Sequence, residues 1–175
     1  MNKTIIYIGG YKSGGHKYSI LKENLDCEVI DISPDYDTED PKNIQKIIIE
    51  AIEDSKQKGN NVEIIGSSTG GMTALLLSHK YSLPTYLINP LIAKDQFFNQ
   101  NHPVDPMLKP MSELLLNANY PDNKIIIYSG LNDELLDPEY TRKFADSKNI
   151  SLVSFEGNHA GTESIDMIIK NIKNT

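Results

Sequence analysis

Short β-branched runs, each stopped by glycine or a small polar residue and each followed by a stretch of helical spacing, constrain this chain more than any other feature. "TIIYI", Thr4 to Ile8, has strand length and stops at Gly9-Gly10. "CEVIDI", Cys27 to Ile32, closes at Ser33-Pro34. "VEIIG" runs from Val62 to Gly66, "PTYLIN" from Pro84 to Asn89, "KIIIYSG" from Lys124 to Gly130 and "ISLVSFEG" from Ile150 to Gly157. The fifth is apolar enough to be a strand buried on both faces. Between the strands, residues 41 to 58 read as a helix. Pro41 suits its first turn. Ile44, Ile47, Ile48, Ala51 and Ile52 form its apolar stripe, and Gly59-Asn60 ends it. Further helices are expected over about 70–81, 138–147 and 162–172.

Strand–helix alternation requires crossover connections, which give a mostly parallel sheet with helices on both faces. The expectation is an α/β fold, a three-layer α/β/α sandwich with a mostly parallel six-stranded sheet. With 175 residues the chain suffices for one domain, 1–175. Residues 91 to 121 fit least: they are rich in proline, with one short apolar turn, "MSELLLN", and read as an irregular, lid-like excursion over the strand ends.

Ligands of such sheets sit at the carboxyl ends of the strands. The residues there are Gly9-Gly10-Tyr11, Ser67-Ser68-Thr69, Asn89-Pro90, Asn132-Asp133 and Asn158-His159. Gly66-Ser67-Ser68-Thr69-Gly70 matches G-x-S-x-G in the required context, after a strand and before a helix. A nucleophile on so sharp a turn needs small residues two positions to either side. Ser68 has Gly66 and Gly70 there, whereas Ser67 has Ile65 and Thr69. Ser68 is therefore the candidate. The plain alternative is a strand-to-helix turn with a capping serine.

A serine hydroxyl needs a base, and the base needs a third group to orient it. Of four histidines, His16 and His102 are flanked by polar loop residues and His79 lies inside the helix after the turn. His159 follows the sixth strand, at the right edge and after the serine. For the acid, Asp133 follows the fifth strand. Glu134 should point away from its neighbour, and Asp137, before Pro138, looks like a helix cap and stands in reserve. Oxyanion donors are expected from the N–H of Thr69, at the start of the helix, and from that of Tyr11, in a loop whose Gly9 and Gly10 let backbone approach a substrate. Gly71 should let the helix approach the sheet closely.

These pieces resemble the α/β-hydrolase superfamily, and within it the short bacterial esterases of the YqiA/YcfP type. The matching stretches are "IIYIGGYKSG", "IIGSSTGGMTALLLSHKYSLPTYLINP", "SGLNDELLDPEYTRKFA" and "VSFEGNHAG", in order and across nearly the whole chain. The resemblance implies a trimmed hydrolase sheet in which the first strand is central, flanked by the second and third, under a minimal lid. It implies a serine hydrolase of small carboxylic esters or thioesters, with Ser68, Asp133 and His159 as its triad. One departure stands out: Gly9-Gly10-Tyr11 occupies the place where relatives usually carry histidine, glycine and an aromatic residue.

Competing classes fare less well. Nucleic acid needs a basic face, and the net charge is −7 with a pI near 5.0. "GGYKSGG" lacks the G-x-x-x-x-G-K-[ST] of a phosphate loop and the G-x-G-x-x-G of a dinucleotide site. The carboxylates of "DYDTED", Asp35 to Asp40, lack calcium-loop spacing and read as a solvated turn. One cysteine, Cys27, excludes an intramolecular disulfide and a multi-cysteine metal site. No cofactor or metal is expected. No run approaches the roughly 18 apolar residues of a membrane span, so a cytoplasmic protein without a membrane or nucleic-acid partner is the expectation, its partner a small-molecule substrate. The same fold kept as a catalytically silent binding protein is the alternative.

Overall fold

The computed structural model describes residues 2–99, 105–120 and 124–174. Six strands form one parallel sheet: β1 (Lys3–Ile8), β2 (Glu28–Ile32), β3 (Asn61–Ser67), β4 (Thr85–Ile88), β5 (Ile125–Gly130) and β6 (Ser151–Phe155), in the order β2-β1-β3-β4-β5-β6. The first strand thus lies between the second and third, as the resemblance implied. The chain winds outward from β1 in one direction and then in the other, which puts the ends of β1 and β3 side by side at the reversal.

Alternation along β1 divides the core. Ile6 and Ile8 face α2 (Pro41–Gln57), α3 (Thr69–Tyr81) and α5 (Pro138–Lys148). Ile5 and Tyr7 face α1 (His16–Asn24) and α6 (Ser164–Asn174). All four side chains are fully buried, because a central parallel strand is covered on both faces. On α2, Ile44, Ile48 and Ile52 are buried, with Ser55 continuing the row. Ile47 departs from the expected stripe: it is 39% exposed, on the stripe's solvent edge. Asp40 caps α2 by accepting from the Lys42 N–H at 2.7 Å, and Asp137 caps α5 by accepting from the Glu139 N–H at 2.9 Å.

Two helices were not expected. His16 opens α1 instead of lying in a loop, and the excursion after β4 contains α4 (Asp105–Asn117), with Pro110 inside it. Proline removes one backbone hydrogen bond from a helix interior, which is why this segment reads as irregular. Here Leu115 is fully buried in the core, holding the helix in place. The same excursion begins with a 3₁₀ turn, Lys94–Gln96, anchored by the fully buried Gln96. Its amide donates to Pro90 O and Thr141 Oγ1 and accepts from the Ile92 N–H. The run Asp35 to Asp40 is also more than a solvated turn: Tyr36 points inward and its hydroxyl donates to Gly9 O at 2.7 Å. Among the described residues, no helix is long and apolar enough to cross a membrane.

Candidate active site

Ser68 sits where β3 turns into α3, at φ 51° and ψ −119°. An L-residue held there costs about 1–3 kcal/mol, so the surroundings must over-determine it. They do: its N–H donates to Ile88 O at 3.0 Å, and its carbonyl accepts from the Gly71 and Leu91 N–H groups at 2.9 and 3.0 Å. The segment leaving β4 therefore clamps the turn from both ends.

The two flanking glycines are both required, for different reasons. A Cβ on Gly66 would lie 2.5 Å from Ala74 Cβ and 2.8 Å from Gly70 O, within the turn itself. One on Gly70 would overlap the carbonyl oxygens of Ile8 and Gly9, at the end of β1. The small-residue rule at Gly70 is thus enforced by the neighbouring strand. Gly71 gives room not to the sheet but to Pro90, whose Cβ would lie 2.8 Å from an added Cβ.

The structure brings Ser68, His159 and Asp133 together. Ser68 Oγ lies 3.0 Å from His159 Nε2. His159 Nδ1 lies 2.8 Å from Asp133 Oδ2 and 3.0 Å from Oδ1. The Asp133 side chain is only 3% exposed and that of His159 15%, so the carboxylate acts in poorly solvated surroundings while the imidazole keeps an open edge. Asp133 Oδ1 also accepts from the Leu135 and Leu136 N–H groups, both at 2.9 Å. That fixes the carboxylate plane against the ring.

The rival acids are accounted for. Asp137 is the α5 cap. Glu134 meets the backbone of the histidine and not its ring: Oε2 accepts from the His159 N–H at 3.0 Å. Among the other histidines, His79 makes an edge contact with Tyr120, with ring centroids 5.9 Å apart, away from Ser68. His102 lies outside the described residues.

Asn89, named among the strand-end residues but given no role, holds the site's two loops together. It is 2% exposed, with φ 41°. Its Nδ2 donates to Asn158 O at 2.9 Å and to His159 O at 3.0 Å, and its Oδ1 accepts from the Gly130 N–H at 2.7 Å. One amide thus ties the histidine loop to the end of the strand that carries the acid. Strand-end placement and a residue type tolerant of positive φ were the signals available in the sequence.

A pocket of about 310 Å³ opens over Ser68 and His159, its far wall formed by the loop between β1 and α1. That loop presses against the turn: a Cβ on Gly10 would lie 2.9 Å from Ser67 O and 2.9 Å from Ser68 Cβ. Tyr11 lines the pocket while its hydroxyl turns away to Asp37, at 2.9 and 3.0 Å from the two carboxylate oxygens. The N–H groups of Tyr11 and Thr69 take no partner within the protein among the described residues. At Gly9 a side chain would run into Ser33. The Tyr36 hydroxyl holds the loop at Gly9 O, and burial pushes that hydroxyl well above the ordinary tyrosine range. Among the described residues, no group of three or more His, Cys, Asp or Glu side chains could hold a metal ion.

Solved structures share this fold at low sequence identity. A structure from work on LipS and LipT, two metagenome-derived lipolytic enzymes, superposes with a TM-score of 0.76 at 13% identity, covering 99% of this chain and 92% of that one. Est1E from Butyrivibrio proteoclasticus gives 0.72 at 14%, covering 99% and 86%. An alpha-beta serine hydrolase homologue from Coxiella burnetii gives 0.69 at 12%, covering 97% and 85%. A search of curated proteins finds no match. The trimmed sheet and the strand–turn–helix at Ser68 stand within a match over residues 4–174, by which the chain belongs to UPF0227, an uncharacterised protein family.

Proposed function

We propose that the chain is a serine hydrolase that cleaves small carboxylic esters or thioesters through an acyl-enzyme intermediate. The observation that carries this reading is the unbroken relay from Ser68 Oγ through His159 to Asp133, at 3.0 and 2.8 Å, built on a residue held at positive φ. The names of the structural neighbours, lipolytic enzymes and a serine hydrolase homologue among them, support the same class. Est1E has been seen with ferulic acid bound, which shows an aromatic acid in that protein's hands.

In this reading Ser68 Oγ attacks the acyl carbon while His159 Nε2 takes its proton. Asp133 holds the Nδ1–H tautomer and stabilises the imidazolium. The N–H groups of Thr69 and Tyr11 receive the developing oxyanion; losing one such donor typically costs on the order of 10²–10³ in rate. The tetrahedral adduct collapses, the bond to the alcohol or thiol breaks, and His159 returns its proton to the leaving group. Water, deprotonated by the same ring, then releases the acid and frees Ser68. The pocket's small volume favours short substrates.

The test is direct. Ser68→Ala should abolish 4-nitrophenyl acetate turnover while the far-UV circular dichroism stays native, and a fluorophosphonate probe should label the wild-type protein at Ser68. Unchanged turnover in the variant would sink the assignment. An unlabelled, inactive wild type would favour the silent binding protein.

A further inference from the structure

Lys17 is the second residue of α1 and lines the same pocket as Ser68 and His159. It is partly buried, yet among the described residues its side chain has no hydrogen bond, ion pair or ring contact. Its placement has two local costs. Burial without a partner disfavours an ammonium and holds it below the ordinary lysine range. A cation in a helix's first turn also faces the positive end of the dipole, and this turn contains no acidic residue to offset it. Local rules broken without local compensation are typical of functional positions.

The rest of the pocket wall agrees. Its other ionisable side chains, besides His159, are Tyr11, Lys12 and His16, and no carboxylate lines it. The acidic groups nearby are directed elsewhere: Asp37 holds the Tyr11 hydroxyl and stands 3.9 Å from Lys12 Nζ, and Glu134 is bound to the His159 N–H. A chain with a net charge of −7 has therefore kept carboxylates off the pocket wall and left a cation there unpaired.

We propose that Lys17 receives an anionic group of the substrate, so that the preferred ester or thioester carries a carboxylate or phosphate on its acyl or leaving side. This rests on the hydrolase reading above and deepens it. The ammonium supplies charge-assisted hydrogen bonds, and the dipole of α1, which opposes Lys17, attracts the anion. The gain falls in binding, because the anion is present in ground state and transition state alike.

Two matched ester pairs test it on the intact protein. Leaving-side charge is probed by 3-acetoxybenzoate against its methyl ester. Acyl-side charge is probed by mono-4-nitrophenyl adipate against methyl 4-nitrophenyl adipate. Wild type should prefer one anionic member, and the pair that shows the preference identifies the side. In Lys17→Met the anionic-to-neutral ratio of kcat/KM should fall about tenfold, through the KM of the anionic ester. Lys17→Arg should restore most of the ratio. Because Lys17 is unpaired, Lys17→Met should keep or raise the urea midpoint, so misfolding will not imitate the result. Hydrolysis of neutral esters with no anionic preference, or a preference that survives in Lys17→Met, would overturn the proposal and leave the hydrolase reading intact. Turnover of none of the four esters would overturn both.

Discussion

Asn89→Ala should damage this protein more than any single exposed substitution, and the size of the effect follows from its contacts. The Gly130 N–H, at the buried end of β5, would lose the acceptor that now stands 2.7 Å away. An unsatisfied buried donor costs about 1–3 kcal/mol. Asn158 O keeps the Gly161 N–H at 3.1 Å, so its loss is partial. Alanine at φ 41° adds about 1 kcal/mol, because the left-handed region disfavours a Cβ that lacks asparagine's local hydrogen bonding. The sum is about 2–4 kcal/mol, or a melting point lower by roughly 4–16 °C for a domain of this size. Asn89→Gly removes the backbone part alone and should recover about 1 kcal/mol of it. The chain has no tryptophan, so urea unfolding is best followed by far-UV circular dichroism. If esters are turned over as proposed, a loosened His159 loop should lower kcat by about 10–100-fold with little change in KM. An Asn89→Ala stability within about 1 kcal/mol of wild type would refute the reasoning, since it would mean the buried Gly130 N–H finds another acceptor at no cost.

Other substitutions test other parts of the frame. Gly70→Ala should cost about 3 kcal/mol or more, because its Cβ meets backbone carbonyls that cannot move aside; Gly14→Ala, in open space, should stay within about 0.5 kcal/mol. Comparing their urea midpoints checks the close approach of β1 to the turn. Ser68→Gly should be at least as stable as Ser68→Ala, since only glycine relaxes the strain at φ 51°; the reverse order in calorimetry would contradict the strain. Lys3→Met should cost about 3 kcal/mol, because it strands the buried Glu63 carboxylate, now paired through Oε1 at 2.8 Å while its Oε2 has no hydrogen-bond partner among the described residues. The double variant Lys3→Met/Glu63→Leu should recover most of that loss, and a simple sum of the two single effects would argue against the pair.

The sheet was legible because its signal is local. Each strand is a short β-branched run, and the residues just past several of them reach the site. The strand order followed from the resemblance, not from periodicity, which carries no information about neighbours. The helices that escaped notice fail the local rules for physical reasons. α1 opens on Gly15 at φ 72° with no side-chain cap, so nothing announces its start. α4 carries Pro110 in its interior, and its stability comes from burying Leu115 against the core.

The site divides along the same line. Ser68 could be separated from Ser67 because the turn's demand for small flanks is written within five residues. Asp133 and His159 followed from position after a strand and from chain order. Asn89 could not be assigned a role that way, because its partners lie 41 to 70 residues further along the chain. The same holds for Gln96, whose amide reaches Thr141 across 45 residues. A buried side chain that bonds to distant backbone leaves no periodic trace; it shows only as a polar residue with no local reason to be there. Lys17 makes no such bond among the described residues, yet it leaves no periodic trace either. In the sequence it is one lysine among many, and only the fold reveals that it is half-buried, lines the pocket over Ser68 and has no side-chain partner among the described residues. That is why the proposed acyl chemistry starts from a five-residue pattern, while the proposed charge of the substrate starts from the fold.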